Sequence, residues 1–362
     1  MPTVNNHVTY QQITSRLNEN DLNYATLTLQ NGFSVLISRR GGRIFGPFLP
    51  PNETSGSETI FWTNGVFAEP DAFESFLVSG DWNLGGERIW MAPEIQYSVH
   101  DRTDFWGTLA WPEQVDPGNY VLEQPADDRC LLSQDMTLEA YNIASGQKNL
   151  HLERVIRPAE DPLRTLRNYD DLIESVLFTG YEHVVSLAES ESSQIMSEAW
   201  SLVQLNPGGV LVIPASPQVA FVDYYEPAGA LQTFHTDHVR LRITGRHQYK
   251  LGYKAAHVFG RIGYFNQLRD GRTYLIVRSF YNNPSRPYGE EPAHLPGWNG
   301  YSIHVYNDDG NAGGFGEMEC NCQTIGGPAR RSSSTDELML WLYVGPTGKI
   351  REIAQQLLRV EV

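Results

Sequence analysis

Apolar and polar residues alternate with a period of two along much of the chain, in short stretches. The first, residues 24–30 (Tyr-Ala-Thr-Leu-Thr-Leu-Gln), is followed by Asn31-Gly32 and then by a second apolar stretch at 33–38. A period of two belongs to a strand with one buried face, and Asn-Gly suits the two positive φ angles of a type I′ turn. A hairpin is therefore predicted. Residues 199–205 and 210–214 flank Asn206-Pro207-Gly208-Gly209 and read as a second hairpin, with Trp200 in its first strand. Further strands are expected at 152–158, 175–179, 183–188, 239–243, 251–254 and 274–280, and the most apolar at 338–344. Between 95 and 160 short strands alternate with polar turns, and the charged stretch 159–172 reads as a loop or a short helix. A mixed polar and apolar pattern predicts a short helix within 8–20, and 350–358 predicts another. Many strands and little helix define an all-β chain, a large antiparallel β-sandwich with few short helices.

No repeat at a fixed period appears, which weighs against a propeller, and no linker divides the chain. Residues 1–362 are read as a single unit, with 1–22 as an N-terminal extension and 350–362 as a C-terminal helix. Loops at 50–58, 65–87 and 282–300 are long for passive connections and suggest a covered site.

Composition narrows the partners. A formal net charge of −16 argues against nucleic acid or an anionic membrane surface. No stretch of membrane-spanning length occurs, and residues 1–7 carry neither a basic region nor an apolar run. The chain reads as cytoplasmic, with prior removal of a leader as the alternative; homo-oligomerisation is left open. Eight Trp, 18 Tyr and 15 Phe fill wide sheets, and some of them suit the apolar faces of sugar rings.

Candidate chemistry falls in a few places. Gly85-Gly86-Glu87-Arg88-Ile89-Trp90-Met91-Ala92-Pro93-Glu94 sets two acids, an Arg and a Trp beside a glycine turn. Arg88 can donate paired hydrogen bonds to hydroxyls or a carboxylate, but on a strand Glu87 faces the opposite side. Glu317 and Glu319, two residues apart on an expected strand, share a face and can split their pKa values. His257 could act as an acid near neutral pH, and Arg261 could meet an acidic sugar. His151 and His304 are weaker candidates. The pair His235 and His238, and Cys320 with Cys322, lack the further ligands that a metal site needs, so no metal is expected. No dinucleotide fingerprint, P-loop or nucleophile elbow is present, and no cofactor is expected.

Three segments together, residues 199–214, Gly41-Gly42-Arg43-Ile44 and Gly314-Phe315-Gly316-Glu317-Met318-Glu319, resemble the galactose-mutarotase-like superfamily over about residues 24–345. The resemblance implies a β-sandwich that binds and often transforms a mono- or oligosaccharide. It implies that Arg88 contacts the sugar and that Glu319, with Glu317 second, is the general base on the anomeric hydroxyl. The aldose epimerases carry a general-acid His in a central strand; the matching segment here, Met196-Ser197-Glu198-Ala199-Trp200-Ser201-Leu202, has none. His257, or Glu198 if protonated, is the substitute. Arg88, Glu87, Trp90, Trp200 and Arg261 are the expected sugar contacts. A sugar epimerase or mutarotase is the first expectation. The alternatives are a glycoside hydrolase or polysaccharide lyase, with Glu87 or Glu94 facing Glu319, and a non-catalytic carbohydrate-binding protein.

Overall fold

The Asn31-Gly32 signal is realised as read. In the computed structural model, which describes residues 8–51, 58–190 and 193–361, Asn31 and Gly32 both take positive φ (56° and 76°). The Phe33 amide donates to the Gln30 carbonyl at 3.2 Å, closing the turn between strands Tyr24–Thr28 and Ser34–Ser38. Of the loop expected at 50–58, residues 52–57 lie outside the described residues, as does the N-terminal stretch 1–7.

Among the described residues the strands form two antiparallel sheets. One has nine strands, in spatial order Tyr24–Thr28, Ser34–Ser38, Arg43–Phe48, Glu87–Ala92, Glu198–Leu205, Gly316–Asn321, Tyr301–Asn307, Tyr249–Lys254 and Phe221–Asp223. The other has ten: Gln232–Phe234, His238–Arg242, Val210–Pro214, Arg261–Gln267, Thr273–Ser279, Ser333–Gly345, Leu177–Glu189, Gly146–Pro158, Arg129–Ala140 and Val121–Ala126. The main apolar core lies between them, with Ile89, Val203, Met318, Val305 and Leu251 from the first sheet and Leu152, Val185, Ile276 and Leu340 from the second. The outer face of the ten-stranded sheet is covered by helix Thr347–Leu358, whose Ile350, Ile353 and Leu357 pack in a second cluster with Leu275, Val277 and Tyr343. The architecture is the large antiparallel β-sandwich expected from the pattern, with few short helices.

The second hairpin does not form. Strand Glu198–Leu205 lies in the nine-stranded sheet between Glu87–Ala92 and Gly316–Asn321, whereas Val210–Pro214 lies in the ten-stranded sheet. Asn206-Pro207-Gly208-Gly209 is an arch between sheets, and its polar groups bond elsewhere. The Gly208 amide donates to Ile243 at 2.8 Å, and the Asn206 side chain donates to Ile60 at 2.9 Å. Both strands are almost wholly buried, so each needs partners on both edges, and changing sheet gives each a central place. Two shorter expectations merge: 175–179 and 183–188 become one strand, Leu177–Glu189, running through Gly180. The short strands expected between 95 and 160 include two long ones, of 12 and 13 residues. The 65–87 loop contains helix Pro70–Ser79.

At Gly42 two chain segments meet. Its φ is +53°, and a Cβ there would lie 2.5 Å from Arg154 Nη1 and 2.7 Å from the Tyr120 ring. Gly42→Ala is expected to lower stability by about 1–3 kcal/mol, through backbone strain and the displaced Arg154. A thermal melt reads the effect, and an unchanged midpoint would refute it.

Candidate functional site

Register decides which side chains meet on the nine-stranded sheet. Arg88 lies opposite Leu202, and Trp90 opposite Trp200. Glu319 lies between Leu202 and His304, and Glu317 between Gln204 and Tyr306. Lys250 lies opposite Tyr306. Directly opposed residues share a face, so Arg88, Trp90, Trp200, Glu317, Glu319, Tyr306 and Lys250 project to one side and Glu87 to the other. On that side loops close a cavity of about 470 Å³, lined by these seven residues together with Trp82, Glu94, Trp106, Trp111, Tyr225, Asp308 and others.

One wall is aromatic. The Trp90 and Trp111 rings lie 3.8 Å apart, and Trp82 packs 4.9 Å from Trp90. The Trp90 indole nitrogen donates to Asp116 at 3.1 Å, which also holds Arg43 at 2.6 Å. Arg88 lies 3.9 Å over the Trp90 ring and pairs with Glu317 at 2.8 Å, while Gln204 donates to the same Glu317 oxygen at 3.0 Å.

The floor is ionic. Lys250, buried, donates to Glu94 at 2.7 Å and lies 3.7 Å from Glu290 and 4.4 Å over the Trp200 ring. The Trp200 indole donates to Glu319 at 3.1 Å. The Glu94 amide donates to Glu290 at 2.6 Å. Burial pushes the Glu319 carboxyl well above the ordinary range; Lys250 opposes the shift, and Glu317 and Glu94 add to it. Burial and Glu94 likewise push Glu290 up to about 8, against Lys250. Burial alone would lower the Lys250 ammonium, but Glu94, Glu290 and Glu319 outweigh it and hold the proton on. The site thus sets a carboxyl whose ionisation burial opposes beside a lysine whose proton the neighbouring acids hold, both against one indole.

The structure brings Arg88, Trp90, Trp200, Glu317, Glu319 and Glu94 together and separates the remaining candidates. Glu87 faces the opposite sheet, where it pairs with Arg278 at 2.8 Å and His183 at 2.7 Å; it cannot reach the cavity. Glu198 is buried outside the cavity, accepting from the Gly289 amide, Asn321 and Thr324 at 2.6–2.7 Å; these bonds hold loop and strand together. His257 Nδ1 accepts from the Ala220 amide at 2.9 Å, also away from the cavity. Arg261 donates to the Leu357 carbonyl and lies 5.7 Å from the Trp341 ring, which fastens it to the C-terminal helix. His304 shares the face of Glu319, directly opposite it, but does not line the cavity; its Nε2 lies 3.1 Å from the Tyr224 hydroxyl, and burial with Lys250 nearby pushes its pKa down. His151 pairs with Asp135 at the surface. His235 and His238 stack at 4.3 Å, and Cys320 and Cys322 are buried. Among the described residues no group of three or more His, Cys, Asp or Glu is placed to hold a metal, and no helix is long and apolar enough to cross a membrane.

Sequence reading missed Lys250, Glu290, Trp82, Trp106, Trp111 and Tyr225. One signal was present. Tyr249-Lys250-Leu251-Gly252-Tyr253 sets a lysine inside an apolar strand, where burial demands a counter-charge.

A two-sheet antiparallel sandwich with an acid-floored, tryptophan-walled cavity on one sheet is the class that fold and site define. No protein-family model and no curated protein matches the chain. Solved structures of the superfamily named from the sequence are among those similar in fold. A putative aldose 1-epimerase from Escherichia coli aligns over 89% of this chain and 99% of its own, at 11% identity and a TM-score of 0.49. A galactose mutarotase-like protein from Lactobacillus casei covers the same shares at 10% identity and a TM-score of 0.42. An aldose epimerase homologue from C. elegans aligns over 89% of this chain and 98% of its own, at 10% identity and a TM-score of 0.42.

Proposed function

We propose that the cavity binds a saccharide ring and that the protein interconverts its anomers, as an aldose 1-epimerase-type isomerase. The observation that carries this reading is that Glu319 and Lys250 both lie against the Trp200 indole at the floor of an aromatic-walled cavity. Tryptophan faces suit the C–H faces of a pyranose, and the Arg88–Glu317 pair offers a donor and an acceptor to vicinal hydroxyls. In its ionised form Glu319 takes the proton of the anomeric hydroxyl. The C1–O1 bond becomes a carbonyl as the bond from C1 to the ring oxygen breaks, and that oxygen carries the electron pair away. Lys250, which keeps its proton, stabilises the alkoxide so formed. After rotation about C1–C2 the alkoxide adds to the other face of the carbonyl, and Glu319 returns its proton to O1. A carboxylate whose pKa is raised is a stronger base for this task than an exposed one.

The test is proton NMR of freshly dissolved single anomers of several aldoses, with and without the protein. Accelerated exchange between the α and β signals is the expected result. New reducing ends from a glycoside would instead make the Glu94 and Glu319 carboxyls a hydrolytic pair. Line broadening without conversion would leave a binding protein. Either would overturn the isomerase reading.

A further inference from the structure

The aromatic lining does not stop at the inner tryptophans. Trp106 and Tyr225 also line the cavity, and Phe105 packs against both of their rings. Trp106 is 58% exposed, unusual for the largest apolar side chain, and its ring lies 4.9 Å from that of Tyr225. Tyr225 connects this group to the floor, since its hydroxyl donates to Glu94 at 3.4 Å.

The segment that exposes Trp106 is firmly held. Arg102 pairs with the buried Glu291 at 2.9 Å and donates to the carbonyls of Ala293 and Pro292 at 2.9 and 3.1 Å. The Arg102 amide donates to Asn142 at 3.0 Å. Asp104 caps the short turn by accepting from the Gly107 amide at 3.2 Å, and the Thr108 hydroxyl donates to the Asp104 carbonyl at 2.8 Å. These bonds fix the backbone on either side of Trp106 before any ligand arrives, which lowers the entropic cost of stacking on its ring. The cavity volume of about 470 Å³ also falls among pockets that take ligands larger than one small ring.

We propose that Trp106 and Tyr225 form an outer saccharide platform, so that the ligand is a di- or oligosaccharide. Its reducing-end ring lies against Glu319 and the next ring stacks on Trp106. This rests on the isomerase reading for the inner ring: the anomeric carbon that opens must be the free one, which places the rest of the ligand toward the mouth. The inner acids act on the terminal ring, and the outer tryptophan selects for chain length.

Isothermal titration of glucose and galactose against maltose, cellobiose and lactose tests it, with the wild type and Trp106→Ala. At least one disaccharide should bind about tenfold tighter than its reducing-end monosaccharide. Trp106→Ala should shrink that ratio about three- to tenfold, and Trp106→Phe should restore part of it. Disaccharides that bind no tighter than monosaccharides, or a ratio unchanged in Trp106→Ala, would overturn the outer platform and leave the inner site standing. Failure of every sugar to bind would overturn both readings.

Discussion

Glu319→Gln should reduce anomeric exchange by about 10²–10⁴-fold while leaving the fold intact. Gln is nearly isosteric, and its carbonyl oxygen can still accept from the Trp200 indole, which donates to Glu319 at 3.1 Å. What disappears is the proton acceptor. The pH dependence separates chemistry from packing. Burial raises the Glu319 pKa well above the ordinary carboxylate range, so the reactive ionised form grows as pH rises past that range. Wild-type exchange should climb with pH along a limb displaced upward from an ordinary carboxylate, and that limb should be missing in Glu319→Gln. Equal turnover in the two proteins would remove Glu319 from the mechanism.

Arg278→Met should cost about 3–5 kcal/mol of stability at neutral pH, the largest loss expected from a residue outside the cavity. Arg278 is the permanent cation facing Glu87 between the sheets, at 2.8 Å. The other Glu87 partners are neutral: the Tyr181 hydroxyl, Ser201 at 3.4 Å, and His183 at 2.7 Å. Arg154 donates to His183 Nε2 at 2.9 Å, so Nδ1 carries the imidazole proton and donates to Glu87. Burial is the first cause that lowers the His183 pKa, to about 4. Burial would raise the Glu87 pKa, but Arg278 and His183 outweigh it and hold the carboxyl well below its usual range.

The signs follow from these directions. A folded pKa below the unfolded one gives stability that is present above the unfolded value and lost as pH falls. The His183 contribution is therefore complete above about pH 6.5 and fades toward about 4. That of Glu87 fades further into acid. Without Arg278 the buried Glu87 becomes easier to protonate, so the penalty of Arg278→Met should shrink below the ordinary carboxylate range. Chemical denaturation at neutral and acid pH measures both effects. A penalty under about 1 kcal/mol at pH 7, or one that grows in acid, would contradict this account of the ion pair.

Strand Glu87–Ala92 sends Arg88 to the cavity face, where it pairs with Glu317, and Glu87 to the opposite face, where it pairs with Arg278, and that strand shows how far sequence reading reached. Alternation was enough to say that Glu87 and Arg88 part company. It could not say which of them met the second sheet, because that depends on partners nearly a hundred and two hundred positions away, His183 and Arg278. The same limit explains His257, Arg261 and Glu198. Each is a polar residue in an apolar setting, and each is satisfied by local or structural bonds rather than by the cavity. Glu290 and the tryptophans of the loops carried no periodic signal, since loops position side chains by packing rather than by repeat.

By itself the sequence determined what depends on near neighbours. The all-β class follows from the period of two, the Asn31-Gly32 turn from the φ angles its residues tolerate, and the common face of Glu317 and Glu319 from the pleat. Tertiary structure alone decided which strands became neighbours. It divided residues 198–205 and 210–214 between sheets, because each buried strand found two long-range partners that satisfied its backbone better than one hairpin would. It also buried Glu319 and brought Lys250, Glu317 and Glu94 around it, and burial first, then those charges together, shifts the proton affinity of the candidate base.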